Sequence, residues 1–217
     1  MLVDSGASQG NDNSGRLADL MDRYCNGERK AFEEIYSSLA PRILGYLTGL
    51  TKDHATAEDL LQLTFMKLHQ SRAAYIRGAN PVPWLYTIAH RTCLDEIRRR
   101  KRSKVRISVD GNLPHEPTSD ITGSAEPPSD GPDEQAIARG MEALASLPDI
   151  QRQAVLLTKI HGHSTAEAAS ILGTTAGAIK LRAHRGYVAL RHKLSTVAPS
   201  QSTTRVATEA ELGQVQA

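Results

Sequence analysis

Four basic side chains crowd together in the C-terminal third of this chain, where their spacing suits contact with nucleic acid. Lys180, Arg182, His184 and Arg185 lie within six consecutive positions, and Thr175 precedes them with a hydroxyl group. Cationic side chains bind phosphates, and arginine also binds the edge of guanine. We therefore expect a nucleic-acid-binding element here.

The element that must position these side chains is a predicted helix-turn-helix. Ser164 and Glu167 form an S-x-x-E capping box at the start of a short helix. Gly173 can adopt the left-handed backbone conformation that ends a helix. Thr174 or Thr175 can then cap the second, basic helix. That second helix is expected to bury one apolar stripe, formed by Ile179, Ala183, Tyr187, Leu190 and Leu194. The alternative is a simple helical hairpin with a solvated basic face.

The sequence offers little support for a metal site or for catalysis. His90 and Cys93 are three positions apart, and His161 and His163 flank a glycine. Structural zinc needs four ligands, and the chain has no second pair with suitable spacing. No serine–histidine–aspartate set, phosphate-binding glycine loop or carboxylate pair stands out either. We expect no metal, no cofactor and no enzymatic activity.

Charge is segregated along the chain, although the net charge of the 217 residues is only +2. The segment 98–106 has seven basic residues and no acid, whereas the segment 108–135 has seven acids and no lysine or arginine. No apolar run approaches the roughly 20 residues that span a bilayer, and residues 1–15 lack the apolar core of a signal peptide. The two cysteines form no disulfide framework. We expect a cytoplasmic protein without membrane insertion.

Helical periodicity and the absence of strand-like alternation predict an all-α fold of two small helical domains. In the first domain, Pro41 is expected to begin a new helix and Asp53 to cap the next one. The modules are expected to meet only through a flexible acidic linker. The predicted ranges are a disordered tail at 1–15, a first module at 16–102, the linker at 103–133, a second module at 134–196 and a disordered tail at 197–217.

Four segments in this order resemble the extracytoplasmic-function (group 4) sigma factors of bacterial RNA polymerase. They are AFEEIYSSLAPRILGYL, AEDLLQLTFMKLHQ, PWLYTIAHRTCLDEIRRRK and the segment 147–185 that contains the helix-turn-helix. The chain departs from the usual family residues at Leu63, Arg91, Ala178 and Leu181. The resemblance implies that the first module is sigma region 2 and the second is sigma region 4, and that the protein directs promoter-specific transcription.

The resemblance also implies site residues in the first module. Core polymerase would be bound by the AEDLLQ helix through Glu58, Asp59, Gln62 and Phe65, with Lys67 also on its outer face. The −10 promoter element would be bound and melted by the loop and helix that follow. The residues expected to contact it are Tyr75, Arg77, Asn80, Trp84, Arg91, Arg98, Arg99 and Arg102. The run at 98–102 would be solvated or bound to phosphates, because five charges cover every face of a helix.

In the second module, the resemblance implies that the recognition helix binds the −35 element through Thr175, Lys180, Arg182, His184 and Arg185. It further implies core RNA polymerase and promoter DNA as partners. Regulation by an anti-sigma factor is expected, because the chain carries no receiver or ligand-binding domain. Two alternatives stay open: a stand-alone transcriptional regulator, and a sigma mimic that only sequesters an anti-sigma factor.

Overall fold

A computed structural model describes residues 6–109 and 134–196, and every regular element within these ranges is helical. The first module contains α1 (Gly6–Cys25), α2 (Arg29–Thr51), α3 (His54–Ser71) and α4 (Pro81–Val109), with a 3₁₀ turn at Arg72–Ala74. The second contains α5 (Glu134–Ala145), α6 (Asp149–Val155), α7 (Thr165–Leu172) and α8 (Ala176–Thr196), with a π-helical turn at Leu156–Ile160. The all-α prediction is confirmed for these residues.

The helix α1 corrects the prediction of a disordered tail at 1–15, because it begins at Gly6. Its C-terminal half buries Leu17, Leu20, Met21 and Tyr24 in the core of the first module. A helix anchored in this way extends into the polar residues before it, since adding a residue to an existing helix is far easier than nucleating one.

A single helix, α2, occupies the region where Pro41 was expected to begin a new one. Proline removes only the hydrogen bond to Ser37, which is exposed. On both sides of the proline, Ile35, Leu39 and Ile43 are buried in the same core. Packing therefore outweighs the local cost of the proline.

The sequence predicted the N-terminal cap of α3 but not the full length of α4. Asp53 caps α3 as expected, accepting a hydrogen bond from the backbone of Thr56 at 3.2 Å. The helix α4 continues to Val109, seven residues beyond the predicted end of the first module at residue 102. The rest of the predicted linker, 110–133, and the tail 197–217 lie outside the described residues.

In the second module, α8 packs against α6 and α7 along a stripe that differs from the predicted one. Ile179 and Ala183 are buried as expected, but Tyr187 and Leu194 are 52% and 45% exposed. Gly186 is buried instead, where a Cβ atom would lie 2.7 Å from a methyl group of Val155. The glycine lets α8 approach α6 closely, and this approach rotates Tyr187 out of the interface.

The two modules pack against each other, which corrects the expectation that only a linker joins them. The α7 helix lies against α4, and α6 lies against α2. Buried apolar residues of both modules form one continuous cluster. The contacts pair residues more than 70 positions apart, such as Tyr86 with His161, which local sequence patterns do not reveal.

Candidate nucleic-acid interface

The helix-turn-helix has the local geometry that its sequence predicts. The Ser164 Oγ accepts from the backbone of Glu167 at 3.1 Å, and the Glu167 carboxylate accepts from the backbone of Ser164 at 2.8 Å. Gly173 adopts φ of 61°, the left-handed conformation that ends α7. The Thr175 Oγ1 then accepts from the backbone of Ala178 at 3.2 Å and caps α8. The capping box, the glycine stop and the cap at Thr175 are all confirmed.

The basic residues of α8 form an open face, which we term the α8 face (Lys180, Arg182, His184 and Arg185). Lys180, His184 and Arg185 are exposed, whereas Arg182 is half-buried. None of the four forms a salt bridge within the described residues. Cations without an acidic partner are free to bind an external anion.

The α3 helix presents a second surface, and it separates the predicted polymerase-binding residues into two groups. Glu58, Asp59 and Gln62 are exposed, but Phe65 is buried. The ring of Phe65 packs against Tyr36, with 4.7 Å between centroids. Phe65 is therefore a core residue in this conformation. Its exposed apolar neighbours Leu63 and Met66 flank the polar face instead.

The loop between α3 and α4 is tied to α1 by residues that were expected to face DNA. The Arg77 guanidinium donates to the backbone carbonyl of Asp22 at 2.6 Å and to Asn26 Oδ1 at 2.9 Å. The Gly78 amide donates to Asp22 Oδ1 at 3.3 Å. The Arg77 side chain is exposed but already occupied, so a DNA contact would have to replace bonds within the protein.

Three other predicted residues of this region also have structural partners. Tyr75 is buried, its hydroxyl donates to the carbonyl of Ala79, and burial raises the pKa of that hydroxyl to about 12. Its ring lies 5.6 Å from that of Trp84, which is half-buried. Asn80 caps α4 by accepting from the backbone of Val82 at 3.0 Å. These bonds set the loop in one conformation.

The basic end of α4 is paired with acids of its own helix. The Arg99 guanidinium donates to both carboxylate oxygens of Glu96 at 2.8 Å, and Arg100 donates to the same carboxylate at 2.8 Å. Hydrogen bonds from Arg99, and then from Arg100, lower the pKa of Glu96 to about 2. Arg98 lies 3.6 Å from Asp95.

One arginine of this run also packs against another helix. Arg100 donates to the Thr56 hydroxyl of α3 at 2.9 Å. Arg99 and Arg100 remain exposed, at 73% and 52% of their side-chain area, as expected for a solvated run, although each also bonds to a partner within the protein. Arg91 and Arg102 are exposed, as predicted. The i,i+3 and i,i+4 spacing from Glu96 was the sequence signal for these pairs.

Asp22 and Asn26 position the loop, although the sequence did not indicate this role. Both lie near the end of α1, about 50 positions before the loop that they bind. No local pattern connects the two segments. The only sequence signal was indirect: two polar residues shortly before a glycine, Gly27, which the structure places at φ of 97°.

Metal-ligating side chains and long apolar helices are the two remaining features of interest. Among residues 6–109 and 134–196, no group of three or more histidine, cysteine or acidic side chains is arranged to bind a metal ion. No helix in the described part of the chain is long and apolar enough to cross a membrane.

Family models match both modules in order. The model for Sigma-70 region 2 matches residues 35–103, and the model for Sigma-70 region 4 matches residues 140–190. The first match covers α3, the loop and the basic part of α4. The second covers the helix-turn-helix. All of α1 precedes the first match, as do the loop-binding residues Asp22 in α1 and Asn26 just after it.

Curated relatives are similar over most of the chain. RNA polymerase sigma factor CarQ of Myxococcus xanthus is 37% identical over 174 residues, which are 80% of this chain and 95% of that protein. ECF RNA polymerase sigma factor SigF of Caulobacter vibrioides is 30% identical, over 84% of this chain and 96% of that protein.

Solved structures have the same fold. The sigma factor RpoE of Bartonella quintana, solved in complex with the anti-sigma factor NepR, is 28% identical with a TM-score of 0.63, over 77% of this chain and 99% of that one. CnrH, solved with the cytosolic domain of CnrY, has a TM-score of 0.62 at 19% identity, over 84% of this chain and 99% of that one, and supports the fold alone. From the ordered matches to regions 2 and 4 and the near full-length relatives, this chain belongs to the extracytoplasmic-function sigma factors of bacterial RNA polymerase.

Proposed function

We propose that this sigma factor binds core polymerase through the exposed polar face of α3, which we term the α3 face (Glu58, Asp59 and Gln62). The observation that carries this assignment is the solvent exposure of all three side chains on a helix whose opposite side is fully packed. Carboxylates and amides form oriented bonds with arginine, and charge-assisted bonds of this kind fix the geometry of a docked helix. Leu63 and Met66 add exposed apolar area beside them.

The same proposal assigns the two modules to two promoter elements. The loop at residues 75–80 and the exposed Arg91 and Arg102 of α4 would contact the −10 element, and the α8 face would contact the −35 element. Recognition helices enter the major groove with their N-terminal residues near the bases. The exposed, unpaired cations at the start of α8 fit that role.

Control in trans is the third part of the proposal. The sigma factor RpoE, which has the same fold at 28% identity, is bound by the anti-sigma factor NepR. A partner that covered the α3 face and the α8 face together would block polymerase and promoter with one interface. We assign the protein to the cytoplasm, to a stress or envelope response and to no enzymatic step, since polymerase supplies the chemistry.

A run-off transcription assay with purified core polymerase tests this function. Wild-type protein should support initiation, and Asp59→Arg should abolish it and also abolish co-purification with core, because a reversed charge repels the partner of the carboxylate. Glu33→Arg is the matched control, an exposed acid on α2 whose reversal should leave both activities intact. Full activity of Asp59→Arg, with unchanged helicity, would contradict docking through α3.

The same assay separates the rival functions. A stand-alone regulator would bind DNA without core polymerase and give no transcript, and a sigma mimic would bind an anti-sigma factor but not DNA. Cross-linking in cells under non-inducing conditions tests the third part. We expect a stoichiometric partner in contact with both modules, and a free yet inactive factor would exclude sequestration.

A further inference from the structure

The contact between the two modules is centred on aromatic and histidine side chains. We define this interface as the histidine latch. Its residues are Arg42, Gly45, Tyr46 and Gly49 of α2, Tyr86 of α4, Leu156, His161 and His163 of the second module. The imidazole of His161 bonds the Tyr86 hydroxyl through Nδ1 at 3.0 Å, and the edge of its ring meets the ring of Tyr46 at 5.6 Å between centroids.

Other contacts extend the histidine latch on both sides of His161. The Arg42 guanidinium donates to the His161 carbonyl at 3.0 Å. The ring of His163 stands edge-on to Tyr86, with 4.3 Å between centroids. At the far end, Arg152 donates to the Leu50 carbonyl at 3.5 Å. Each contact joins one module to the other, so all are lost if the modules separate.

The two histidines of the second module are poorly suited to carry charge in this position. The Nε2 atoms of His161 and His163 are buried without a hydrogen-bond partner. A protonated imidazole has two N–H donors, so protonation would leave a charged donor without an acceptor. The guanidinium of Arg42 beside them adds like charge. The neutral form is therefore strongly favoured while the latch is closed.

The same geometry lowers the pKa values of both histidines. Burial, then the nearby charges of Arg42 and His163, lower the pKa of His161 from 6.5 to about 4. Burial also lowers the pKa of His163, although Glu167, 3.9 Å from its Nδ1, acts in the opposite direction. The titratable and charged groups that face the pair are Arg42 and Tyr46 from α2, Tyr86 and His90 from α4, Arg152 from α6 and Glu167 from α7.

We propose that the histidine latch keeps the two promoter-binding modules closed against each other at neutral pH, and that protonation of His161 and His163 opens it. Closure fixes the modules side by side, whereas promoter elements more than one helical turn apart, about 34 Å, require them to separate. The latch is thus an autoinhibitory contact within the chain, independent of any anti-sigma factor.

Because the pKa values of both histidines are lower in the closed state, a fall in pH weakens closure. A histidine whose pKa is lower in the closed state stabilises closure fully above its ordinary pKa of 6.5, and this contribution is lost as the pH falls toward 4. For His161 alone the closing constant should fall about 30-fold between pH 7.5 and pH 5. His163 acts in the same direction.

Small-angle scattering on the full chain, with circular dichroism in parallel, tests the proposal. Wild-type protein should be compact at pH 7.5 and expanded at pH 5 with its helicity retained. The double variant His161→Gln/His163→Gln should stay compact at both values, because glutamine can still bond Tyr86 but does not titrate. His54→Gln, at an exposed histidine of α3, should behave as wild type. Wild-type protein that is expanded at pH 7.5, compact at pH 5 or unfolded on expansion would overturn the proposal. So would a double variant that is compact at pH 7.5 and expands at pH 5 as much as wild type.

Substitution of two glycines in α2 tests the closed geometry independently of histidine titration. It also tests the proposal if the double variant is already expanded at pH 7.5. At Gly49 a Cβ atom would lie 2.7 and 3.0 Å from the methyl groups of buried Leu156, whereas at Gly45 it would lie 3.8 Å from the His161 ring. Gly49→Ala should expand the chain at pH 7.5 and remove the pH effect, and Gly45→Ala should do neither. Alanine favours helix, so α2 stays folded in both. Gly49→Ala protein that is compact at pH 7.5 and remains compact at pH 5 would contradict the latch.

Discussion

The basic side chains of α8 and of the end of α4 differ in their partners within the protein when no DNA is bound. On the α8 face, Lys180 and Arg185 are exposed and have no acidic partner within the described residues. At the end of α4, Arg99 and Arg100 share the carboxylate of Glu96. A similar density of positive charge in the sequence thus produces an unpaired surface in one module and a partly neutralised one in the other.

This difference has an energetic consequence for DNA binding. A free cation that meets a phosphate releases counterions from the DNA and loses only its own hydration. An arginine already bound to a carboxylate must exchange one anion for another, so its net gain is smaller. We infer that α8 provides most of the electrostatic affinity, while α4 acts after polymerase has brought it to the DNA.

The largest effect is expected at the open surface. Arg185→Ala should lower affinity for a selected promoter duplex by about 1–3 kcal/mol, roughly 5- to 150-fold, if the guanidinium makes a bidentate base contact. If Arg185 binds a phosphate instead, the salt slope of binding should fall by about one on all sequences. Fluorescence anisotropy over a range of salt concentrations distinguishes the two.

Arg191→Ala is the control for this experiment. Arg191 is also exposed on α8 but lies about two turns further from the helix start. Its removal should change affinity much less than removal of Arg185. Equal losses of affinity at both positions would mean that α8 binds DNA by non-specific electrostatic attraction along its length and not preferentially through its N-terminal residues.

A smaller effect of opposite sign is expected at the paired surface. Glu96→Gln should free Arg99 and Arg100, raise affinity for duplex DNA and steepen the salt slope by about one to two units. Glu34→Gln breaks a salt bridge of 3.2 Å with Arg16, away from α4, and should leave the slope unchanged. An unchanged slope for Glu96→Gln would show that the two arginines do not reach phosphates even when free.

The smallest effect concerns the loop between α3 and α4. Asn26→Ala removes one acceptor of Arg77, a hydrogen bond worth about 0.5–1.5 kcal/mol, and less at this exposed site. Hydrogen exchange of the amides at residues 76–79 should become a few-fold faster. Asn26→Asp preserves an acceptor oxygen and should retain the protection. Unchanged exchange in Asn26→Ala would show that the loop does not depend on α1 for its conformation.

Local chemistry made several elements predictable in advance. The capping box at Ser164, the left-handed Gly173 and the cap at Asp53 each depend on residues within four positions of one another. Such features survive in any context that allows a helix to form. The pairing of Glu96 with Arg99 and Arg100 is equally local and could have been predicted from its spacing.

The errors arose where packing overrode a local preference. Proline at position 41 is tolerated because residues before and after it are buried in one core. Tyr187 is exposed because Gly186 brings α8 against Val155. Residues 6–15 are helical because they extend the C-terminal half of α1, which is buried in the core. In the first two cases the deciding atoms belong to another helix, and in the third the anchor is the packing of α1 against α2 and α4.

The sequence by itself determined the helical character of the chain, several helix caps and the family, because these depend on short-range hydrogen bonds and on the order of motifs. Tertiary structure alone decided which candidate residues are available. It buried Phe65 among aromatic rings, tied Arg77 to α1 and joined Tyr86 to His161 across 75 positions. Burial and partnership depend on the three-dimensional neighbours of a side chain, and those neighbours are distant in the chain.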